Sequence, residues 1–265
     1  MPDPARISFE DPLCGFTPIS LAEMDAVKLM NRIDTKYVTD EATLAGILQD
    51  AVLAGYRILV ADGARISPYD SVYFDTDALR MFTDHRNGKF RRQKVRTRAY
   101  VNSGEAFLEI KRKNNHGRTK KKRTGIPMDE LSDFRADDAA CRYLAEYSDF
   151  EATQLRPTLK TVFKRITLVN PDRTERITID TDLHFRNCRT GLETSLRDAV
   201  VIELKQSGRV SSVMKSILLS HRVKPARVSK YCIAVTLTDP SARSGRFKEK
   251  VRLIEKIIQH KITVA

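Results

Sequence analysis

No apolar run among the 265 residues approaches the roughly 20 that a membrane-spanning helix requires. The N-terminus, MPDPARISFEDP, also lacks the apolar centre of a secretory signal. A cytoplasmic protein is therefore expected, with attachment to a membrane surface left open. The four cysteines, Cys14, Cys141, Cys188 and Cys232, are far apart and form no Cys-x-x-Cys pair, which argues against both a zinc finger and a disulfide framework. The five histidines, His85, His116, His184, His221 and His260, are scattered; they read as surface or turn residues, and none is assigned to a metal. No Gly-x-x-x-x-Gly-Lys-Ser/Thr loop is present, against a P-loop nucleotidase. No helix-turn-helix, finger or RNA-reading aromatic pair appears, against specific nucleic-acid recognition.

Acid is also short. Lys and Arg number 47 against 34 Asp and Glu, a formal charge of +13. Such an excess favours an anionic partner without choosing among nucleic acid, nucleotide, polyphosphate and an acidic membrane surface. The length suffices for a sizeable core. Without a Gly- or Pro-rich linker or a fixed-period repeat, residues 1–240 read as one domain, followed by a basic helical tail over 241–265.

Helical spacing covers 19–33, with Ser20 as cap and Glu23 three positions later, and again 40–54, beginning at Asp40. Between them, 34-DTKYV-38 alternates like a short strand. Strand-like segments follow near 69–75, 90–101, 106–113 and 118–126, punctuated by turns at Asn87-Gly88, Ser103-Gly104 and His116-Gly117. Residues 129–148 return to helical spacing. Strands recur at 158–169, 174–180 and 199–206, then a helix over 210–221, with 228-VSKYCIAVTL-237 after it.

Side chains two apart on a strand share a face. Arg92, Lys94, Arg96 and Arg98 then fall together, as do Phe107, Glu109, Lys111 and Lys113, and Val201, Glu203 and Lys205. Arg176, Thr178 and Asp180 lie opposite Glu175, Ile177 and Ile179. Each strand carries one apolar or mixed face and one charged face of both signs. Glu-x-Lys recurs at Glu109/Lys111 and Glu203/Lys205, with Asp34/Lys36 a shorter version. A solvated sheet face has a similar pattern, but the repetition suits a site where carboxylates hold a divalent cation and Arg and Lys hold phosphate oxygens. The fold class expected is α+β, an antiparallel β-barrel with charged faces inward and flanking helices.

Taken in order, Asp34-x-Lys36-Tyr37-Val38, Val72-Tyr73-Phe74-Asp75, Arg96-x-Arg98, Phe107-x-Glu109-x-Lys111, Phe163-Lys164-Arg165, Arg176-Ile177-Thr178-Ile179-Asp180, Glu203-Leu204-Lys205 and Ser229-Lys230-Tyr231 resemble the VTC domain. That is the polyphosphate polymerase domain of the vacuolar transporter chaperone family, within the CYTH-like triphosphate tunnel superfamily. The resemblance runs over about residues 18–235. It implies a tunnel that binds a triphosphate chain and Mn²⁺ or Mg²⁺. Arg96, Arg98, Lys111, Arg165 and Arg176 would contact phosphate oxygens, joined by Lys36, Lys205 and Lys230. Glu203 would be the leading metal ligand with Glu109 and Asp180 near it, Glu109 also being available to orient water.

The resemblance has departures. The superfamily favours Glu-x-Glu-x-Lys on its first strand, whereas this chain has Arg32-Ile-Asp34-Thr-Lys36. Fungal members add an SPX domain and transmembrane helices, absent from these residues, so coupling to translocation would require a membrane-protein partner. The implied activity is transfer of the γ-phosphoryl group of ATP or another triphosphate onto a polyphosphate chain. The alternatives are hydrolysis of tripolyphosphate or nucleoside triphosphate, and non-catalytic binding of a polyanion or nucleic acid.

Overall fold

The chain was analysed as a computed structural model, which describes residues 9–25, 27, 29, 32–208 and 210–265. The alternating segments become an 11-stranded sheet. In chain order the strands are β1 (Thr17–Ile19), β2 (Ile33–Asp40), β3 (Arg57–Leu59), β4 (Ser67–Asp75), β5 (Arg92–Tyr100), β6 (Glu105–Lys113), β7 (Thr119–Ile126), β8 (Arg156–Val169), β9 (Glu175–Asn187), β10 (Glu193–Leu196) and β11 (Ala199–Gln206). The helices are α1 (Glu10–Leu13), α2 (Leu21–Asp25), α3 (Glu41–Leu53), α4 (Arg80–Arg86), α5 (Asp138–Tyr147), α6 (Val213–Ser220), α7 (Lys230–Thr238) and α8 (Gly245–Ile258). The main path runs β2-β11-β9-β8-β4-β5-β6-β7, antiparallel throughout. The short β1 pairs in parallel with β3.

The expected closure into a barrel is corrected here: the sheet is open, with β2 and β7 at the ends of its path. Part of the outer edge of β2 is taken by the segment leading into α7, where Ala226 N donates to the Lys36 carbonyl at 2.7 Å and Tyr37 bridges Pro225. Proline has no N–H with which to extend that pairing. At the other end β7 is mostly exposed and carries Lys120, Lys121, Lys122 and Arg123, a composition that opposes edge pairing.

The apolar strand faces are covered from outside. Ile166, Leu168, Ile177, Ile179, Val200, Ile202 and Leu204 join Leu44, Ile47 and Leu48 of α3 and Met214 and Leu218 of α6 in one cluster. Val95, Leu108 and Ile110 join Phe134 and Ala140 and Leu144 of α5 in another. Trimming a fully buried leucine such as Leu204 to alanine would cost about 2–5 kcal/mol. Helix α3 starts where the sequence places it, with Asp40 Oδ1 accepting from Thr43 N at 2.7 Å. On the opposite side of the sheet, α7 and α8 pack against Tyr73, Leu159, Phe163, Leu183 and Phe185; Phe247, Ile254 and Ile258 of the basic tail belong to this cluster.

Other expectations need adjustment. The helix expected over 19–33 forms only as α2 among the described residues, its Ser20/Glu23 cap intact; residues 26, 28, 30 and 31 lie outside them. Ile19 is already committed to pairing with β3, and Ile33 to β2. The helical stretch 129–148 breaks into two 3₁₀ turns and α5, because Asp137 caps α5 through Ala139 and Ala140 N–H. Strand β9 runs seven residues beyond the expected 174–180, to Asn187. No helix among the described residues is long and apolar enough to cross a membrane.

Candidate functional site

The charged faces inferred from alternation converge on one side of the sheet. Register aligns Lys36 with Glu203 and Glu203 with Thr178, and Lys205 with Arg176. It also aligns Arg165 with Asp180, Tyr73 with Arg96, Arg96 with Glu109, and Lys94 with Lys111. Antiparallel partners directly opposite share a face, so residues two apart continue it. All eleven residues assigned from the sequence therefore lie on this side, ten on strands and Lys230 at the start of α7. The face is curved. Lys36 of β2, Asp180 of β9 and Lys94 of β5 stand well apart in the strand order, yet they meet the three consecutive residues Val228, Lys230 and Ser229. The sheet is a trough whose two walls face one another.

Three carboxylates stand among the cations. Glu109 is fully buried: Arg96 Nε donates to its Oε2 at 2.7 Å, and Lys121 Nζ donates to Oε1 at 2.5 Å. Burial opposes its charge, but Arg96, Arg98 and Lys121 prevail and hold the carboxyl far below its ordinary range. Asp180 receives a two-pronged bond from Arg165, Nε to Oδ1 at 2.6 Å and Nη2 to Oδ2 at 2.8 Å, and a short bond from Lys230 Nζ. It too is held well below the usual carboxylate range against its burial, by Arg165 and Lys230. Glu203 has a looser engagement, an ion pair to Lys205 at 3.2 Å. Lys205, Lys36 and Lys111 outweigh burial and depress it as well.

The cations remain in excess. Arg98 is 5% exposed and donates Nε to Ser71 Oγ at 3.1 Å; burial and then Arg96 push its guanidinium down to about 10. Burial likewise lowers the ammonium groups of Lys94, Lys111, Lys121, Lys205 and Lys230. Aromatic rings brace the guanidiniums. Arg98 and Arg165 lie 5.1 and 4.8 Å from the centre of the Tyr69 ring, and Lys230 lies 5.0 Å from that of Phe163. The segment before α7 spans the trough: the Val228 carbonyl accepts from Lys36 Nζ at 3.4 Å, Ser229 Oγ from Lys94 Nζ at 2.9 Å, and Lys230 meets Asp180.

Several of these groups go beyond the sequence assignments. Lys121 was legible: the Asn114–Gly117 turn sets Lys111 opposite Lys121 and Glu109 opposite Arg123. Tyr73 carried no such signal. Its hydroxyl accepts from Arg96 Nη1 at 3.0 Å, and Arg96, Arg98, Lys94 and Lys230 overcome burial to bring the phenol down to about 8. Phe163 lines the site as well as packing. His85 is not a surface residue as expected; it is half-buried with Nδ1 3.1 Å from Cys232 Sγ, and burial and Lys94 lower it to about 3.

Among the described residues no three His, Cys, Asp or Glu side chains gather as a metal cluster. Both carboxylate oxygens of Glu109 and of Asp180 already accept hydrogen bonds from cations. Glu203 is the carboxylate best able to give an oxygen to Mg²⁺ or Mn²⁺. Such ions are commonly held by one or two carboxylates together with substrate phosphates, so the donor set fits a metal shared with a bound phosphate chain and not a cage of protein ligands.

One family, the VTC domain, matches the chain over residues 31–238. Among curated proteins none matches. Similar solved structures include a Hippeastrum protein named for adenylyl cyclase, with a dominant triphosphatase activity, at 13% identity and a TM-score of 0.49, covering 77% of this chain and 95% of that one. Two proteins of Pyrococcus horikoshii align at 14% identity with a TM-score of 0.42, covering 77% and 99%, and at 11% with 0.41, covering 76% and 98%. Likeness at this level carries no argument about this chain's chemistry.

Proposed function

The chain belongs to the VTC-domain family, and from that membership we propose that its trough binds a triphosphate chain and transfers the terminal phosphoryl group of ATP or a related triphosphate onto the end of a polyphosphate. The observation that carries this reading is the state of the carboxylates. Glu109 and Asp180 are neutralised by cations on both oxygens, while Lys36, Lys94, Arg98, Lys111 and Lys205 keep a surplus of positive charge.

A phosphate acceptor is already an anion at neutral pH and needs no strong base. It needs placement in line with the leaving oxygen and relief from repulsion. Arg98 of β5, with the N–H donors that Arg96 and, two strands away, Arg165 of β8 keep beyond their carboxylate pairs, would grip successive phosphates. Lys111 and Lys205 would neutralise the transferring group, and Lys230 with Lys94 would hold the chain where α7 crosses the trough. The paired side chains are aimed before substrate arrives, so little reorganisation accompanies reaction. Glu203 would hold the divalent ion, which when bound supplies charge neutralisation across neighbouring phosphate oxygens.

Asp34, the remaining acid of the first-strand motif, is engaged by Arg32 Nε at 2.6 Å. That engagement disfavours it as a base for water and favours transfer over hydrolysis. The test is incubation with ATP and Mn²⁺ or Mg²⁺, with and without a short polyphosphate primer, following ADP, phosphate and chain length. ADP release with lengthening chains is expected, lost in Arg96→Ala/Arg98→Ala. Free phosphate without longer chains would instead assign hydrolysis, and binding without turnover would remove the enzymatic reading.

A further inference from the structure

A second concentration of positive charge lies outside the trough. Arg86 and Asn87 from the end of α4, with Arg243, Gly245 and Arg246 around the start of α8, line an open pocket of about 330 Å³. In the sequence this is part of 243-RSGRFKEK-250, a basic stretch that the trough leaves without a role.

Elsewhere the protein sets surface arginines against acids. Arg91 and Arg112 share Asp149, Arg57 meets Glu23, and Arg135 meets Asp133. Among the described residues no carboxylate forms an ion pair with Arg86, Arg243 or Arg246. Backbone carbonyls aim two of the three instead. Arg86 Nη1 donates to the Arg243 carbonyl at 2.7 Å, and Arg246 Nη1 donates to the Arg86 carbonyl at 3.4 Å. Arg86 Nε also donates to Asn87 Oδ1 at 3.1 Å. These contacts use part of each fork and leave further N–H donors for a ligand. Three guanidiniums around one pocket repel each other, and an oxyanion with several acceptor oxygens removes that repulsion.

We propose that this pocket is a second phosphate-chain site, separate from the trough, which takes phosphates of inorganic polyphosphate through the forks of Arg86, Arg243 and Arg246. The identity of the anion rests on the proposed function; the arginine cluster does not. Asn87 of the pocket lies five residues before Arg92, the first residue of β5. The pocket lining has no aromatic side chain to take a nucleobase, so the ligand is the phosphate chain alone.

The test is calorimetric titration of the full chain with tripolyphosphate. Two classes of site are expected. Arg86→Gln/Arg243→Gln/Arg246→Gln should lose one class, weakened at least tenfold as charged hydrogen bonds are removed, and Arg96→Ala/Arg98→Ala should lose the other. Arg243→Gln alone, which removes no side-chain hydrogen bond among the described residues, should weaken the pocket about tenfold and serves if the triple variant fails to fold. Unchanged binding in these Gln variants, checked as folded by thermal melting, would overturn the proposal. If the trough variant abolishes all binding, the pocket falls while the trough stands. If the Gln variants abolish all of it, the trough reading falls while the pocket stands. Absence of binding to the wild type sinks both. Sulfate at equal concentration should leave the pocket's tripolyphosphate in place; its full displacement would make the pocket a general oxyanion seat and overturn the phosphate-chain assignment.

Discussion

Lys230, the first residue of α7, donates to Asp180 of β9, whose carboxylate also takes both prongs of Arg165. A helix therefore contributes to a ring of charge that strands build elsewhere, and Asp180 is the counterion that allows two buried cations to approach each other. Asp180→Asn should leave Arg165 and Lys230 mutually repelling and cost about 3–5 kcal/mol in denaturant unfolding. Saturating tripolyphosphate should raise the melting temperature of this variant more than that of the wild type, since the ligand replaces the lost charge. An equal rise in both would mean that Asp180 is not holding these cations for an anion.

Arg96 and Arg98 sit on the same wall with different partners, Glu109 and Tyr73 for one and Ser71 for the other. Truncating both should weaken tripolyphosphate binding by about two orders of magnitude or more, since hydrogen bonds to charged groups contribute about 1.5–3 kcal/mol each. Calorimetry on the Arg98→Ala single variant separates the contributions: among the described residues no carboxylate forms an ion pair with Arg98, so its effect should appear in binding more than in stability.

Glu203→Gln should separate binding from turnover. The substitution removes one negative charge from the trough, so tripolyphosphate binding without metal should hold or tighten. Metal-dependent turnover should drop by at least tenfold, with the metal concentration for half-maximal rate increased. If both binding and turnover fall together in metal-free and metal-loaded assays, Glu203 is a structural partner of Lys205 and not a metal ligand.

The trough should take up protons when it takes up an anion. Burial lowers the folded pKa of Lys94, Lys111 and Lys205 below the ordinary 10.5. For such groups the unfolded chain binds more protons between the folded and unfolded values, so the free protein gains stability as pH rises through the folded pKa. The same sign holds for Tyr73, about 8 in the fold against 10.0 unfolded. A bound polyanion favours the protonated forms of all four. Titrations in buffers of different ionisation enthalpy should show net proton uptake above about pH 8, and affinity should fall toward alkaline pH. Proton release in that range would contradict the direction of these shifts.

The pattern of two made much of this site readable. Arg96/Arg98, Glu109/Lys111 and Glu203/Lys205 share their faces because a strand has no other periodicity to offer, and their apolar neighbours fix which way each face turns. What alternation cannot show is what occupies the end of a sheet. The pairing of Ala226 with Lys36, which leaves the trough open, is a contact between residues 190 positions apart and leaves no local trace. The short α4 was missed for a related reason: its N-terminus is set by Asp75, whose oxygens accept from Met81 and Phe82 N–H, and not by a capping residue beside it. Tyr73 carries no charge for alternation to mark and is buried like a core residue; only the Arg96 guanidinium against its hydroxyl gives it a place in the site.

The crowding of Arg98, Lys94, Lys111 and Lys205 into one concavity makes the protein an ion exchanger. In any solution of small anions, the surplus cations recruit whatever counterions are at hand, so any anionic ligand would arrive by displacing them and leave by being displaced. An affinity measured here is a ratio between two occupants. It will change with the buffer's phosphate, sulfate and chloride even when no residue of the trough has moved.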